Sequence, residues 1–329
     1  MPYDGGMDAT VSAWDGRSLK GRCPRSGIVT NFLGGNDQNA ATQMHRHGGR
    51  DHFIIFGVIQ GVASLSSPGC RRLYRGRCQH CRKLSIEISY QEEDLPKFDP
   101  KKSSDAYKYD PTWTSVPYPS SFHYTDNASV SPWQREVGVD AEPDSTWAIY
   151  IGGMHTTNTQ SNHIRKRLAA ACNAVPDDTC TWLALGKAGA RYSAADILAR
   201  YRRSTFCLHP PGDSPTRKGI FDSLLTGCIP VVFNKFSLGN QYDWHLGAAL
   251  REKVTVFVPP DEPDFLGYLR QNYDRSRVLA MQRAIAHAAF ALQYSLPPPG
   301  PKPHVWAPPK PDAVDVLLDG MYRQFVRDR

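Results

Sequence analysis

The stretch Ser204–Phe233, STFCLHPPGDSPTRKGIFDSLLTGCIPVVF, constrains this chain more than any other. An apolar, β-rich run ends in a Pro/Gly loop. Ile220, Phe221, Leu224 and Leu225 then recur at helical spacing, and Ile229–Phe233 is a second apolar run. The order strand, loop, helix, strand is the unit of a parallel α/β sheet. The loop sets Gly212, Asp213, Ser214, Thr216, Arg217 and Lys218 where the helix begins. A helix start offers free backbone N–H groups and the positive end of a dipole, so with basic side chains beside it the spot suits a phosphate or diphosphate. Ser214 is a natural N-cap, Pro215 a natural first helical residue, and Gly227 a natural stop. Two readings of the helix surface stand open. Arg217 and Lys218 hold a diphosphate while Asp222, one turn on, accepts from ribose hydroxyls; or Lys218 and Asp222 form an ordinary solvated i,i+4 pair. Arg217 stands where a Walker A loop needs glycine, and G-x-G-x-x-G is absent.

The same alternation extends to both sides. Strands are expected at Thr146–Ile151, Trp182–Leu185, Thr205–His209, Ile229–Phe233 and Val254–Val258, and helices at 162–173, 194–203, 214–226, 263–272 and 276–293. Upstream, FIIFGVI at Phe53–Ile59 reads as a buried strand and 84–88 as a second. Residues 91–120 read as a long loop, and 1–45 as irregular. Prolines crowd 297–311, and a last amphipathic helix carries Ala313, Val316, Leu317, Met321 and Phe325. The division expected is an irregular 1–45, a first lobe over 46–143, a second lobe over 144–294, and a Pro-rich connection with a helix over 295–329.

Composition narrows the classes. Hydrophobic residues make up 40% and charged ones 22%, so 329 residues can bury a real core. The net charge of +7 favours anionic ligands but supplies no basic stripe for nucleic acid. The longest apolar run is far short of a membrane span, and MPYDGGMDAT has neither the basic nor the apolar region of a signal peptide. Of eight cysteines, Cys172 and Cys180 suit a short loop closure, while Cys207 and Cys228, in apolar strand-like segments, are expected to be buried free thiols. Cys70, Cys78 and Cys81 with His80 offer zinc a soft ligand set, but no second CxxC follows, so disulfides or free thiols are the main expectation there. Asn127-Ala128-Ser129 is a glycosylation sequon that matters only in the secretory pathway.

FCLHPPGDSPTRKGIFDSLLTGCIPVVF resembles the signature of the exostosin-like glycosyltransferases, glycosyltransferase family 47, and is most similar to their plant and algal xyloglucan-galactosyltransferase-like branch. Gly48–Phe53 (GGRDHF), Val116–His123 (VPYPSSFH), Ile164-Arg165 and Gln241–Leu246 (QYDWHL) resemble further family segments, in family order. The resemblance covers about residues 48–290. It implies an α/β, GT-B-type architecture, two Rossmann-like lobes around a cleft, with the N-terminal lobe incomplete here. A UDP-sugar would sit in the C-terminal lobe and a glycan acceptor in the N-terminal one, and transfer would invert the anomeric centre.

Inverting transfer needs a base for the acceptor hydroxyl and positive charge for the departing diphosphate. Asp51 and His52, at the edge of the first strand, are the candidate bases; the alternative is an Arg50–Asp51 ion pair and a strand-capping His52. Arg165, Arg217, Lys218 and the helix start at Ser214–Thr216 suit the diphosphate. His245 is a further candidate for the nucleotide-sugar, against a plain packed histidine beside Trp244. The chain contains no D-x-D, so neither metal nor other cofactor is expected, the UDP-sugar being a co-substrate. Where relatives often carry a small-x-Arg turn after the first C-lobe strand, this chain has Gly153-Met154-His155. The expected partners are the donor, an oligo- or polysaccharide acceptor of cell-wall or matrix type, and other glycosyltransferases, not nucleic acid. The resemblance implies a Golgi location. The alternative to an enzyme is a catalytically inactive nucleotide-sugar- or glycan-binding partner subunit.

Overall fold

The described residues form two parallel sheets. The computed structural model describes residues 53–56, 80–88, 112–124, 146–154, 159–186, 192–212, 214–239, 241–296 and 311–327. The chain divides into two units, the boundary falling between Ser115 and Val116. In the first unit, β1 (Phe53–Phe56), β2 (Arg82–Ser85) and β3 (Trp113–Ser115) pair in parallel in that order. β3 falls in the stretch whose Pro, Asp and Lys content reads as loop. Leu84 and Trp113 are buried, and Lys83, also buried, donates its ammonium to the Cys81 carbonyl and the Thr112 hydroxyl. Burial in a sheet thus outweighed local composition.

The second unit holds a five-stranded parallel sheet in the order β5-β4-β6-β7-β8. Its strands are β4 (Thr146–Gly152), β5 (Cys180–Ala184), β6 (Ser204–His209), β7 (Ile229–Val232) and β8 (Val256–Phe257). Helices α1 (Thr159–Asn173), α2 (Ala194–Arg202), α3 (Lys218–Thr226) and α4 (Ala248–Val254) connect them in turn. α5 (Phe265–Asn272), α6 (Arg275–Ala288) and α7 (Ala313–Arg327) follow. Successive residues of a strand point to opposite faces. Ala148, Tyr150, Phe206 and Leu208 accordingly join the main core with Ile164, Leu168, Phe221 and Leu224. Ile149 and Cys207 face the other way, against Tyr201 of α2. The sheet is therefore covered on both faces, as expected of a parallel sheet.

Four expectations need correcting. α3 begins at Lys218, not Ser214, and Arg217, in extended conformation, is its N-cap. Ser214 and Pro215 lie before the helix, where Gly212 N–H and the Ser214 carbonyl close a turn of 3.0 Å. Cys207 and Cys228 are joined in a disulfide, not free, because β6 and the residue entering β7 are sheet neighbours with Cα atoms 5.9 Å apart. Val254 ends α4, a helix the sequence pattern missed, and only Val256–Phe257 is strand. α6 stops at Ala288, and Ala289–Leu292 tightens into a 3-10 turn. The expected Cys172–Cys180 bridge is present, and α3 does end at Gly227 in left-handed conformation (φ 82°). Cys81 is disulfide-bonded, which removes it as a zinc ligand; Cys70 and Cys78 lie outside the described residues.

Val116–Tyr124 belongs to the second unit. Tyr124 N–H donates to Gln293 Oε1 (2.6 Å) and its hydroxyl to the Leu225 carbonyl. Tyr294 hydroxyl donates to the Pro117 carbonyl (2.7 Å), and Tyr118 packs on Phe221. The segment is a strap holding α3 and the end of the α6 region together.

Candidate anion site at the switch point of the second sheet

β4 and β6 are hydrogen-bonded neighbours, but the chain passes through β5 on the far side of β4 before returning to β6. The strand order reverses between them. In an open α/β sheet, ligands bind at such a switch point, outside the carboxyl ends of the strands. The segments leaving those two ends here are Gly152-Gly153 and Pro210-Pro211-Gly212.

Arg165, on α1, ties the two ends together. Its Nε donates to the Pro211 carbonyl (3.1 Å) and its Nη1 to the Gly153 carbonyl (2.9 Å). One turn earlier on the same helix, Ser161 hydroxyl donates to the Gly212 carbonyl (3.1 Å). Tyr150, the last core residue of β4, donates its hydroxyl to the Gly153 carbonyl as well (3.0 Å). Burial pushes the Tyr150 phenol up to about 12, and the positive charges of Arg165 and Arg217 partly oppose that rise. Both guanidinium groups therefore act on the same phenol, one from α1 and one from the start of α3.

Arg217 is folded back over its own loop. Nη2 donates to the Ser214 carbonyl (2.9 Å) and Nη1 to the Ser214 hydroxyl (3.3 Å). Its guanidinium lies where a side chain at position 212 would go: a Cβ built on Gly212 would land among the guanidinium atoms. Only glycine admits that packing. α3 itself has no side-chain cap, whereas Ser193, Asp264 and Asp274 cap α2, α5 and α6. Uncapped N–H groups at a helix start, flanked by two arginines at a switch point, suit a phosphate group.

The remaining expected residues are placed as follows. Lys218 and Asp222 form the i,i+4 pair, with Nζ 2.7 Å from both carboxylate oxygens; Lys218 is half exposed and Asp222 nearly buried. Thr216 is buried in the loop. His245 is set apart in its bonding: Nε2 donates to the Ala313 carbonyl (2.9 Å), the first residue of α7, and burial pulls its pKa down to about 4. Asp51, His52 and Asp213 lie outside the described residues.

Sequence reasoning missed Tyr150, Ser161 and His209. His209 closes β6 fully buried, with Nε2 2.7 Å from Ser223 Oγ and Tyr201 set edge-on at 5.7 Å. Because Ser223 gives its proton to the Gly219 carbonyl (2.7 Å), it accepts from His209 Nε2–H. Burial, with Arg217 second, drives the His209 pKa down to about 3 and keeps the ring neutral. The only signal was topological: Tyr150 and His209 stand at or near the ends of the two strands flanking the reversal, and Ser161 on the helix that follows the first of them.

An exostosin GT47 domain matches residues 37–273. Xyloglucan-specific galacturonosyltransferase 1 of Arabidopsis thaliana is 38% identical over 270 residues, covering 80% of this chain and 35% of the relative. Probable xyloglucan galactosyltransferase GT19 of Arabidopsis thaliana is 28% identical over 353 residues, covering 99% of this chain and 72% of the relative. The chain thus spans only about a third of the first of these proteins. Among solved structures, a GtfA/B complex overlaps 79% of this chain and 55% of its own at 9% identity, with a TM-score of 0.40, too loose a likeness to carry weight.

Proposed function

Because this chain belongs to the exostosin GT47 family, we propose that it is a glycosyltransferase that moves a sugar from a UDP-sugar to a glycan of cell-wall type, with inversion. One observation carries the proposal: Arg165 and Arg217 converge beside the uncapped start of α3 at the switch point of the second sheet. In this reading the diphosphate lies against the α3 N–H groups and the two guanidinium groups, and Lys218 exchanges part of its contact with Asp222 for a phosphate oxygen. Asp222, released to that extent, accepts from a ribose hydroxyl. The second unit is the donor lobe and the first the acceptor lobe of a GT-B enzyme.

The acceptor hydroxyl oxygen attacks the anomeric carbon, the bond from that carbon to the diphosphate breaks, and its electron pair leaves with UDP. The hydroxyl proton passes to Asp51 or His52. Charge building on the leaving oxygen is met by fixed cations that need no reorganisation. With no D-x-D in the chain, we assign this work to the arginines instead of a carboxylate-held metal. The two disulfides of the second unit suit an oxidising compartment, in keeping with a Golgi lumenal enzyme.

Calorimetric titration with UDP, then with a panel of UDP-sugars, each with and without EDTA, tests the proposal. Saturable binding that survives EDTA and is accompanied by turnover on a xyloglucan acceptor is expected. Absence of UDP binding by folded protein would overturn the donor site; binding without turnover would replace the enzyme by a silent nucleotide-sugar-binding partner.

A further inference from the structure

Seven large apolar side chains are exposed among the described residues, and four of them lie on α7. Val314, Leu318, Tyr322 and Val326 are 41%, 46%, 67% and 51% exposed. They recur every four residues, so they form a single ridge along one side of the helix. The opposite side is firmly seated. Ala313 and Leu317 are buried, and Gly320 meets the Trp244 ring so closely that no side chain would fit. Ala313 N–H donates to the Gln293 carbonyl (2.8 Å). Asp312 caps the helix start, accepting from Val314 N–H (2.8 Å) and Asp315 N–H (3.2 Å). A helix anchored in this way holds its outer ridge in a fixed position, and an exposed apolar ridge on a folded surface marks an interaction site.

The charges beside the ridge indicate what covers it. On its flank, Asp315 and Asp319 stand in the first half of α7 and Arg323 in the second, with Arg323 and Asp319 paired along the helix. An antiparallel copy, related by a two-fold axis through the middle of the ridge, reverses that order. Its Arg323 then falls beside Asp315 and Asp319, and the reverse holds at the other end. The same operation sets Leu318 against Tyr322 and Val314 against Val326. Self-complementarity of this kind is what an isologous two-fold contact requires.

We infer that α7 is a homodimerisation helix, the ridge Val314–Leu318–Tyr322–Val326 packing antiparallel against the same ridge of a second copy. Ridges of i±4 rows packed on each other cross at about −50°.

Sedimentation velocity of the full chain over a micromolar concentration series reads the oligomeric state. A concentration-dependent dimer is expected. Leu318→Asp with Tyr322→Asp should raise the dimer dissociation constant at least about tenfold, the scale of one lost well-placed contact, with the melting temperature retained. Should that variant fail to fold, the charge variants decide. Arg323→Asp and Asp319→Arg should each be monomeric alone and form a dimer when mixed, since each presents the charge the other lacks. A monomeric wild type would overturn the inference, as would a dimer that survives Leu318→Asp/Tyr322→Asp. A mixture of the charge variants that stays monomeric would overturn the antiparallel arrangement, leaving the ridge to another occupant.

Discussion

The Arg217 guanidinium occupies the space that a side chain at Gly212 would need. The loop before α3 is thereby built around its arginine, with the Ser214 carbonyl accepting from both Gly212 N–H and Arg217 Nη2. Gly212→Ala must push the guanidinium away while leaving the sheet and α3 in place. UDP affinity should fall roughly tenfold, about 1.4 kcal/mol, with an unchanged circular dichroism spectrum. Calorimetry on the variant checks this, and undiminished affinity would show that the Arg217 position is irrelevant to the nucleotide.

Removing the charge itself should cost more. Arg217→Ala is expected to weaken UDP binding by about 1.5–3 kcal/mol, the range for a charge-assisted hydrogen bond. The same titration on Arg165→Ala should show a second effect. That change strips donors from the Pro211 and Gly153 carbonyls, so unfolding in urea should shift to lower concentration even without ligand. If only Arg165→Ala loses affinity, the anion lies nearer α1 than α3.

The Cys207–Cys228 bridge closes a loop that contains the whole of the site's loop and α3. On the loop-entropy account, cross-links of this span stabilise by about 2–4 kcal/mol. Replacing both cysteines with serine should lower stability on that scale in denaturant titration. Peptide mapping without reductant should recover the two residues in one linked species; finding both as free thiols would contradict the pairing.

Buried neutral histidines give the protein an acid-side weakness. His209 and His245 have folded pKa values near 3 and 4, against 6.5 unperturbed. Below 6.5 the unfolded chain takes up protons that the folded one refuses, so stability falls as pH falls through that window. Each histidine contributes at most about 1.4 kcal/mol per pH unit. Melting temperature should be flat in this contribution above pH 6.5 and decline between about 6.5 and 4. The decline should be shallower in His209→Gln, and an identical slope in that variant would remove His209 as a cause.

Much of the second sheet was legible because Phe206, Leu208, Ile229 and Val231 form short apolar runs and Ile220, Phe221, Leu224 and Leu225 repeat at helical spacing. Periodicity reports burial directly. The errors occurred where burial depends on partners distant in sequence. β3 lies within a stretch rich in Pro, Asp and Lys yet pairs in a sheet, and Cys207 meets Cys228 only because β6 and β7 are adjacent. Ser214 has the chemistry of a cap, but its side chain receives Arg217 instead, which moves the helix start to Lys218. The reversal of strand order between β4 and β6 is a property of topology, so Tyr150, Ser161 and His209 gave no local signal of their place beside it.

The strap from Val116 to Tyr124 has a bearing on how such proteins exchange parts. Its hydrogen bonds to Leu225 and Gln293, and that from Tyr294 to Pro117, place it with the half of the chain that follows it. A recombination crossover near residue 144 would join one protein's strap to another's α3, leaving Tyr118 and Tyr124 to meet foreign surfaces. A crossover between Ser115 and Val116 keeps strap and helix together. Viable chimaeras between relatives should therefore cluster at that junction, upstream of the first strand of the second sheet.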